Sequence, residues 1–494
     1  MTNDRQRSFA SLRMTGGQFN LLFQFMRILY IGSGFVGACS AAVAADSGHD
    51  VLVYDIDEAK IKMLGSGDRD TIENCLFEKG LGDMLVRNKE QIEFTTDYAK
   101  VEKFLDEEAE VVFMCLPTPE KKGADGETDL TYYFAAAEKT AVSLSKRNKG
   151  AQDNYIVIVN KSTVPIEMVD ETQKIMDAAG VKNYGIVSNP EFLVEGKAIE
   201  GSVKPDRVVV GAWEERDFKI MREVYQRFYN SPNVQYIEAN PKEAAAGKLL
   251  ANFLLLTKLV TTYDVVGRVA EYFPDINFEK LRHILSTDDR IGKWGFFDSI
   301  CAGGSCLIKD SKSLEFQLKT AGSATEQIKG ILNGNSFQLH NFYERAKKEA
   351  GFDYFNKKIA ILGVAFKRDT NDVRNSGAID IVRRLVDDGA KEIRIYDPAA
   401  MPMFEKMFDA NNNAGYKAIK YFDNEKDALL ETGACMILTD WPKFRAVGDV
   451  IREVCKPPYL IMDGRRMLAD QFEDLSEKGY DIISVGSAFI KGKV

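Results

Sequence analysis

This chain of 494 residues has only three histidines, His49, His283 and His340, none near another in sequence. That scarcity removes most metal sites and leaves little room for a histidine-based triad. Its seven cysteines (39, 75, 115, 301, 306, 435 and 455) are odd in number, scattered and never arranged as C-x-x-C, so neither a disulfide framework nor a zinc site is suggested. Such usage fits a reducing, cytoplasmic compartment. There is no basic excess: the formal net charge is −9, without a long basic run, which argues against nucleic acid as the main partner. An anionic ligand would then be held locally, by helix ends and single lysines or arginines. No apolar run approaches the roughly 18 residues that cross a bilayer, so no membrane partner is expected. Arg5, Arg7 and Arg13 precede an apolar stretch from Phe19, but this runs straight into the next strand without a small-residue cleavage site, so a secretory signal is not expected. Residues 1–25 are expected to be a disordered N-terminal extension, with Met26 a candidate start.

What is present is a soluble globular composition, 45% apolar and 28% charged, with length enough for about three domains. Met26–Tyr30 is a short apolar strand, followed by Gly32-Ser33-Gly34-Phe35-Val36-Gly37 and the small-residue segment 38–45. Strand, G-x-G-x-x-G and helix in that order are what a dinucleotide-binding unit requires: one glycine for the turn, one to admit the pyrophosphate, one for helix packing. A second strand over 50–54 ends at Asp55, whose carboxylate suits ribose hydroxyls and would repel a 2′-phosphate, so NAD is favoured over NADP. Later strands are expected at 111–116, 155–160 and 185–188. The first two are followed by Pro117-Thr118-Pro119 and Lys161-Ser162-Thr163-Val164-Pro165, so that the hydroxyls of Thr118, Ser162 and Thr163 should face the nicotinamide half of the cofactor. After the third come Glu191, Phe192, Leu193 and Glu195; the plain alternative for the two glutamates is a solvated helix start.

A long apolar helix is expected from Glu243 to about Val269. Lys248 and Asn252, four apart, lie on one of its faces, where burial is costly unless they have partners or work. Gly303-Gly304-Ser305-Cys306 then offers two glycines that let the backbone approach a ligand, a candidate nucleophile and, at Asp310, a nearby carboxylate. The plain alternative for Cys306 is a small buried hydrophobe. From Lys358 the strand–helix pattern restarts, with strands at 358–362, 393–396, 435–439 and 459–462. Its first loop, Gly363-Val364-Ala365-Phe366-Lys367, lacks the second and third glycines, so a different nucleotide is expected there, with Lys367 and Arg465 as charge partners. The fold class expected is α/β: two doubly wound Rossmann-like domains joined by a long central helix.

The motifs GSGFVG, LPTP, KSTVP, NPEFLVEGKAI, PDRVVVG, GGSCLIKD, GVAFKRDTNDVRNS, YDP, TDW and DGRRM occur in one order that resembles the nucleotide-sugar 6-dehydrogenases, the UDP-glucose/GDP-mannose dehydrogenase family. That resemblance implies an NAD-binding domain (26–230), a central helical dimerisation region with the cysteine loop (231–350) and a UDP-sugar-binding domain (351–494). It implies that Cys306 forms a thiohemiacetal and then a thioester, that Lys248 and Asn252 stabilise the oxyanion, and that Asp310, Glu191 and Thr163 serve proton transfer and water. Asp55, Lys60, Thr118, Glu195 and Arg374 match positions that contact NAD. Arg290 matches an arginine reaching the partner subunit's substrate, and Phe366, Lys367 and Arg465 match substrate-binding positions; Phe192, Leu193 and Gly303 join that set. PDRVVVG and DGRRM look more like the UDP-glucose branch, so UDP-glucose is the expected substrate, with a homodimer or higher homo-oligomer as the assembly. The same chemistry on GDP-mannose or a UDP-N-acetylhexosamine, or a non-catalytic nucleotide-sugar-binding protein, are the alternatives. The chain departs from the family pattern at Cys301-Ala302, where glycine and an aromatic are usual, at Ile308, and at Glu167-Met168.

Overall fold

A computed structural model describes residues 25–106, 109–147, 154–409, 411 and 413–493. Apart from Phe25, the expected N-terminal extension lies outside the described residues. The chain divides into two compact units: the first runs to Pro117 and resumes from Leu130 to Ala245, and the second holds Thr118–Asp129 and everything from Ala246.

The first unit is built on an eight-stranded sheet: β1 (Arg27–Ile31), β2 (Asp50–Tyr54), β3 (Ile92–Thr95), β4 (Val111–Met114), β5 (Ile156–Asn160), β6 (Tyr184–Ser188), β7 (Arg207–Gly211) and β8 (Gln235–Ala239). Their spatial order is β3-β2-β1-β4-β5-β6-β7-β8, and every pairing is parallel except β6 with β7. The continuous apolar runs of the sequence have their reason here. Ile28, Tyr30, Val51 and Val53 pack into one core while Leu29, Ile31, Leu52 and Tyr54 pack into another, so both faces of the sheet are covered. The order reverses beside β1, and in such sheets the crevice at the carboxyl ends of the strands around that switch is where ligands bind. Gly32, at the end of β1, has φ +100 and donates its N–H to Tyr54 O, closing the turn into the helix Phe35–Asp46.

The second unit repeats the plan with β9 (Lys358–Leu362), β10 (Glu392–Tyr396), β11 (Ile419–Tyr421), β12 (Ala434–Ile437), β13 (Tyr459–Asp463), β14 (Tyr480–Ser484) and β15 (Ser487–Ile490). Their order is β11-β10-β9-β12-β13-β14-β15, parallel except β14 with β15. The C-terminal hairpin is tied down by Arg345, a fully buried side chain on the helix Glu326–Ala350. Its guanidinium donates to Ser484 O and Ser487 O and pairs with Glu349 and the buried Glu271.

The expected long helix is present, but in three parts: Pro241–Val260, a π-helical stretch Thr261–Val266, and Gly267–Tyr272. It also corrects the reading of apolar runs. By length and composition Pro241–Tyr272 is apolar enough to cross a membrane, with a mean hydropathy of 1.4 over its best window. Counting only uninterrupted runs overlooked it, because Lys248, Asn252 and Lys258 punctuate the leucines. Its buried side is a core of the second unit: Phe253 packs with Leu314 and Ile328, and Leu256, Leu259, Val260 and Tyr263 pack with Ala302. Leu250, Leu254 and Val265 remain exposed.

Candidate active site

In the first unit the glycine loop is a cradle whose three glycines differ in duty. A Cβ on Gly37 would lie 2.0 Å from Gly32 O, and one on Gly32 would lie 2.2 Å from Cys115 O, so these two are demanded by packing of the loop against β1 and β4. A Cβ on Gly34 would meet nothing within 4 Å, so that glycine is demanded by nothing in the protein. Open space at the second glycine, at the N-terminus of a twelve-residue helix begun by Phe35 and Val36, is what a pyrophosphate needs. Asp55 faces the same loop: one carboxylate oxygen accepts from the Ser33 N–H and hydroxyl, both at 2.7 Å, the other from the Asp57 N–H, and Lys60 Nζ lies 3.4 Å away. Burial alone would raise the Asp55 carboxyl, but these donors and the lysine hold it below the usual carboxylate range. It is therefore anionic at neutral pH, as acceptance from ribose hydroxyls and exclusion of a 2′-phosphate require.

Beyond β5, the Ser162 hydroxyl donates its single proton to Met114 O and Leu116 O, so it secures the strand-end loop; Thr163 follows it, partly buried. The loop from Asn189 to Lys197 carries Glu191, whose carboxylate accepts from Leu193 N at 2.5 Å, Phe192, whose ring lies 3.8 Å from the Arg207 guanidinium, and Glu195. Three residues to which the sequence reading gave no such role hold this loop. Lys161 Nζ donates to Asn189 Oδ1 at 2.9 Å, and Tyr225 donates its hydroxyl to the same oxygen. Glu78, 1% exposed, accepts from Gly196 N and Ala198 N with its two carboxylate oxygens. Position 78 is 118 residues from Gly196 in sequence, and no local signal links them.

In the second unit Cys306 caps the fourteen-residue helix Leu307–Thr320, where negative charge on sulfur is favoured by the helix N-terminus. One turn on, Asp310 is 1% exposed and accepts from Asn252 Nδ2 at 2.5 Å and Lys309 Nζ at 2.6 Å. Lys248, 4% exposed, sits one turn before Asn252 on its helix, so the pair expected from spacing is buried rather than a solvated stripe. Cys301, which departs from the family pattern, is buried, and burial pushes its thiol up to about 11, so it stays protonated at neutral pH.

The two glycines before Cys306 have a packing reason of their own. A Cβ on Gly303 would lie 2.6 Å from Asn375 O, and one on Gly304, at φ +85, would lie 2.9 Å from the Phe366 ring. Gly304 N donates to Arg374 O, and Asn375 Nδ2 donates back to Gly304 O. Close approach to the 366–375 loop is what these glycines permit. The Arg374 guanidinium is held by the buried Asp372, and Lys367 Nζ lies 5.6 Å from the Phe366 ring centroid. Arg465 spreads its guanidinium over Leu438 O, Phe366 O and Asp298 O, bracing the loops at the ends of β9 and β12. Arg290 is paired with Asp288, its side chain 89% exposed. Thr118 belongs by its packing to this second unit.

The loop after β9 repeats the design of the first unit with a decisive change. Asp397, after β10, accepts from Val364 N, Ala365 N and Trp441 Nε1 through one oxygen and from Ala399 N and Ala400 N through the other. Five donors on its two oxygens and 3% exposure leave Asp397 no free lone pair for a ribose, whereas the Asp55 oxygen that accepts only Asp57 N keeps one.

A Rossmann-like unit with a phosphate cradle and an anionic ribose acceptor, together with a second nucleotide-type unit bearing a cysteine at a helix N-terminus one turn before a buried carboxylate, defines an NAD-dependent oxidoreductase. Comparison with known families agrees. Residues 26–229 match the NAD binding domain of the UDP-glucose/GDP-mannose dehydrogenase family, residues 242–336 its central domain, and residues 360–470 its UDP binding domain. The chain is 32% identical over 471 residues to the UDP-glucose 6-dehydrogenase TuaD of Bacillus subtilis, covering 94% of each. It is 31% identical over 470 residues to the UDP-glucose 6-dehydrogenase of Rhizobium meliloti, covering 93% of this chain and 99% of that one. In fold it is similar to a UDP-glucose dehydrogenase from Pyrobaculum islandicum, with a TM-score of 0.81 at 24% identity over 96% of this chain and 100% of that one. It is also similar to a UDP-D-ManNAc dehydrogenase from Pyrococcus horikoshii, with a TM-score of 0.76 at 21% identity over 93% and 99%. The chain belongs to the UDP-glucose/GDP-mannose dehydrogenase family.

Proposed function

We propose that this protein oxidises the C6 hydroxymethyl group of UDP-glucose to the carboxylate of UDP-glucuronate. The observation that carries the reading is the buried Asn252–Asp310 hydrogen bond, one helical turn from Cys306 and with Lys248 buried one turn before Asn252, on a chain whose full-length relatives at 31–32% identity are named UDP-glucose 6-dehydrogenases. When bound, NAD accepts one hydride, two electrons, in each oxidation, so the four-electron conversion consumes two equivalents.

The first oxidation removes a hydride from C6 and a proton from its hydroxyl, leaving an aldehyde. Cys306 then adds its sulfur to C6 while the carbonyl oxygen gains a proton, which retains the aldehyde as a thiohemiacetal. Loss of a second hydride from C6 and the hydroxyl proton gives a thioester. Water adds to that carbonyl, the C–S bond breaks, and the thiolate and carboxylate separate. Lys248, with Asn252 beside it, stabilises the oxyanions of these steps, where a buried ammonium acts most strongly. Asp310 and Glu191 move protons and, with Thr163, position the water. Phe366, Lys367 and Arg465 belong to the nucleotide-sugar side. We further propose a homodimer on the exposed Leu250, Leu254 and Val265 face of the central helix, with Arg290 reaching the partner's substrate, and a cytoplasmic location.

The test is NADH formation with UDP-glucose, GDP-mannose, UDP-N-acetylglucosamine and UDP-N-acetylmannosamine under identical conditions. Two NADH per UDP-glucose and a much lower kcat/KM for the others are expected. One NADH per sugar, or a preference for another nucleotide sugar, overturns the proposal.

A further inference from the structure

The segment Thr118–Asp129 leaves the end of β4 and packs with the second unit. It closes on itself as a hairpin: Glu120 and Thr128 form an antiparallel bridge, Lys121 N donates to Glu127 O and Asp129 N to Pro119 O. The hairpin grips the helix that Cys306 caps. Glu120 receives Lys312 Nζ on both carboxylate oxygens at 3.2 and 3.1 Å, and the Thr128 and Ser313 hydroxyls lie 2.9 Å apart. Gly126, at φ +81, approaches so closely that a Cβ there would lie 2.4 Å from Lys312 O. Thr118, at the hairpin's start, is buried between two prolines, which restrict the local backbone.

We propose that Glu120 and Lys312 are a positioning pair that fixes the Thr118 hydroxyl relative to the Cys306 sulfur. The inference rests on the reading that Thr118 serves the nicotinamide and Cys306 holds the sugar. In that chemistry the first reduced cofactor must be exchanged while the sugar stays on the sulfur. A hydroxyl carried by the same unit as the sulfur keeps its register to that sulfur through both oxidations, and small misplacements of reacting groups are costly. The pair acts through the hairpin. Both side chains are about one third exposed, at 32 and 33%, so losing the pair leaves the fold standing.

The experiment compares wild type with Glu120→Gln, which keeps an acceptor for Gly126 N but removes the charge, Lys312→Glu, the charge-swapped Glu120→Lys/Lys312→Glu, and Gly126→Ala. For each, KM and kcat are measured separately for NAD and UDP-glucose, together with the unfolding midpoint. The single charge variants should lose about fivefold in kcat/KM for NAD, the ratio an exposed ion pair can supply. The KM for UDP-glucose and the midpoint should not change. Charge swapping should restore most of the loss, and Gly126→Ala should lose more than either single variant. Unchanged NAD kinetics in both charge variants, or a swapped variant as impaired as the singles, overturns the pair. A wild-type protein that forms no NADH with any nucleotide sugar overturns the reading beneath it, and the inference with it.

Discussion

Replacing Gly34 with alanine separates the cofactor cradle from the fold. Gly34 has φ −63 and ψ 178, an extended backbone that alanine adopts without strain, and its Cβ would enter space empty to 4 Å. The folded protein should therefore be unharmed, or stabilised by about 0.4–1 kcal/mol through the stiffer unfolded chain. A pyrophosphate drawn onto the N-terminus of the Phe35–Asp46 helix must share that space with the new methyl. An intruding methyl in a close-packed contact costs about 1–3 kcal/mol, which is roughly 5- to 150-fold in NAD affinity. The neighbouring glycines provide the control. Gly37→Ala puts Cβ 2.0 Å from Gly32 O, which requires a backbone shift of more than about 1 Å to restore contact distance. Gly32→Ala combines a 2.2 Å approach to Cys115 O with φ +100, so it suffers both clash and strain. Thermal unfolding and calorimetric titration with NAD on the three variants give the answer. Gly34→Ala should keep its unfolding midpoint and lose affinity; the other two should lose stability first. NAD affinity unchanged in Gly34→Ala refutes the placement of the pyrophosphate, and a midpoint that falls as far as in Gly37→Ala refutes the packing argument.

Asp55→Ser should weaken NAD and raise the ratio of NADP to NAD turnover at least tenfold, because the anion that would repel a 2′-phosphate is gone; steady-state kinetics with both cofactors decide it. Cys306→Ser should stall at an ester, since alkoxide leaves less readily than thiolate, and mass spectrometry after incubation with UDP-glucose and NAD should find a sugar-nucleotide adduct on the peptide containing position 306. Normal turnover in that variant returns Cys306 to the rank of a packing residue. The Asp46 carboxyl provides a pH test. Burial alone would raise it, but hydrogen bonds from Asn88, Arg87 and Arg227 outweigh that and hold it below its ordinary value. Its contribution is present above the unfolded value of about 3.9 and is lost as pH falls through the lower folded value. Asp46→Asn should accordingly lower the unfolding midpoint at neutral pH, with the difference from wild type shrinking in acid.

By itself the sequence determined the two strand–helix series, the glycine loop and Asp55, because buried parallel strands read as continuous apolar runs and a phosphate cradle needs glycines at set spacings. It also marked Lys248 and Asn252, since residues four apart on a helix must share a face. Tertiary structure alone decided which glycines are demanded by packing: Gly34 stands open, while Gly303 and Gly304 are pressed against Phe366 and Asn375. It decided that Asp397, placed like Asp55 at the end of a second strand, is used up inside the protein. It also decided that Glu78 pins the loop after Glu195, that Lys161 holds Asn189, and that Thr118–Asp129 packs with the cysteine-bearing unit. Periodicity and turn chemistry are local, so a sequence carries them openly. A carboxylate that caps an amide 118 residues away is set by how helices and loops close around a sheet, and only the folded chain reveals which donor meets which acceptor.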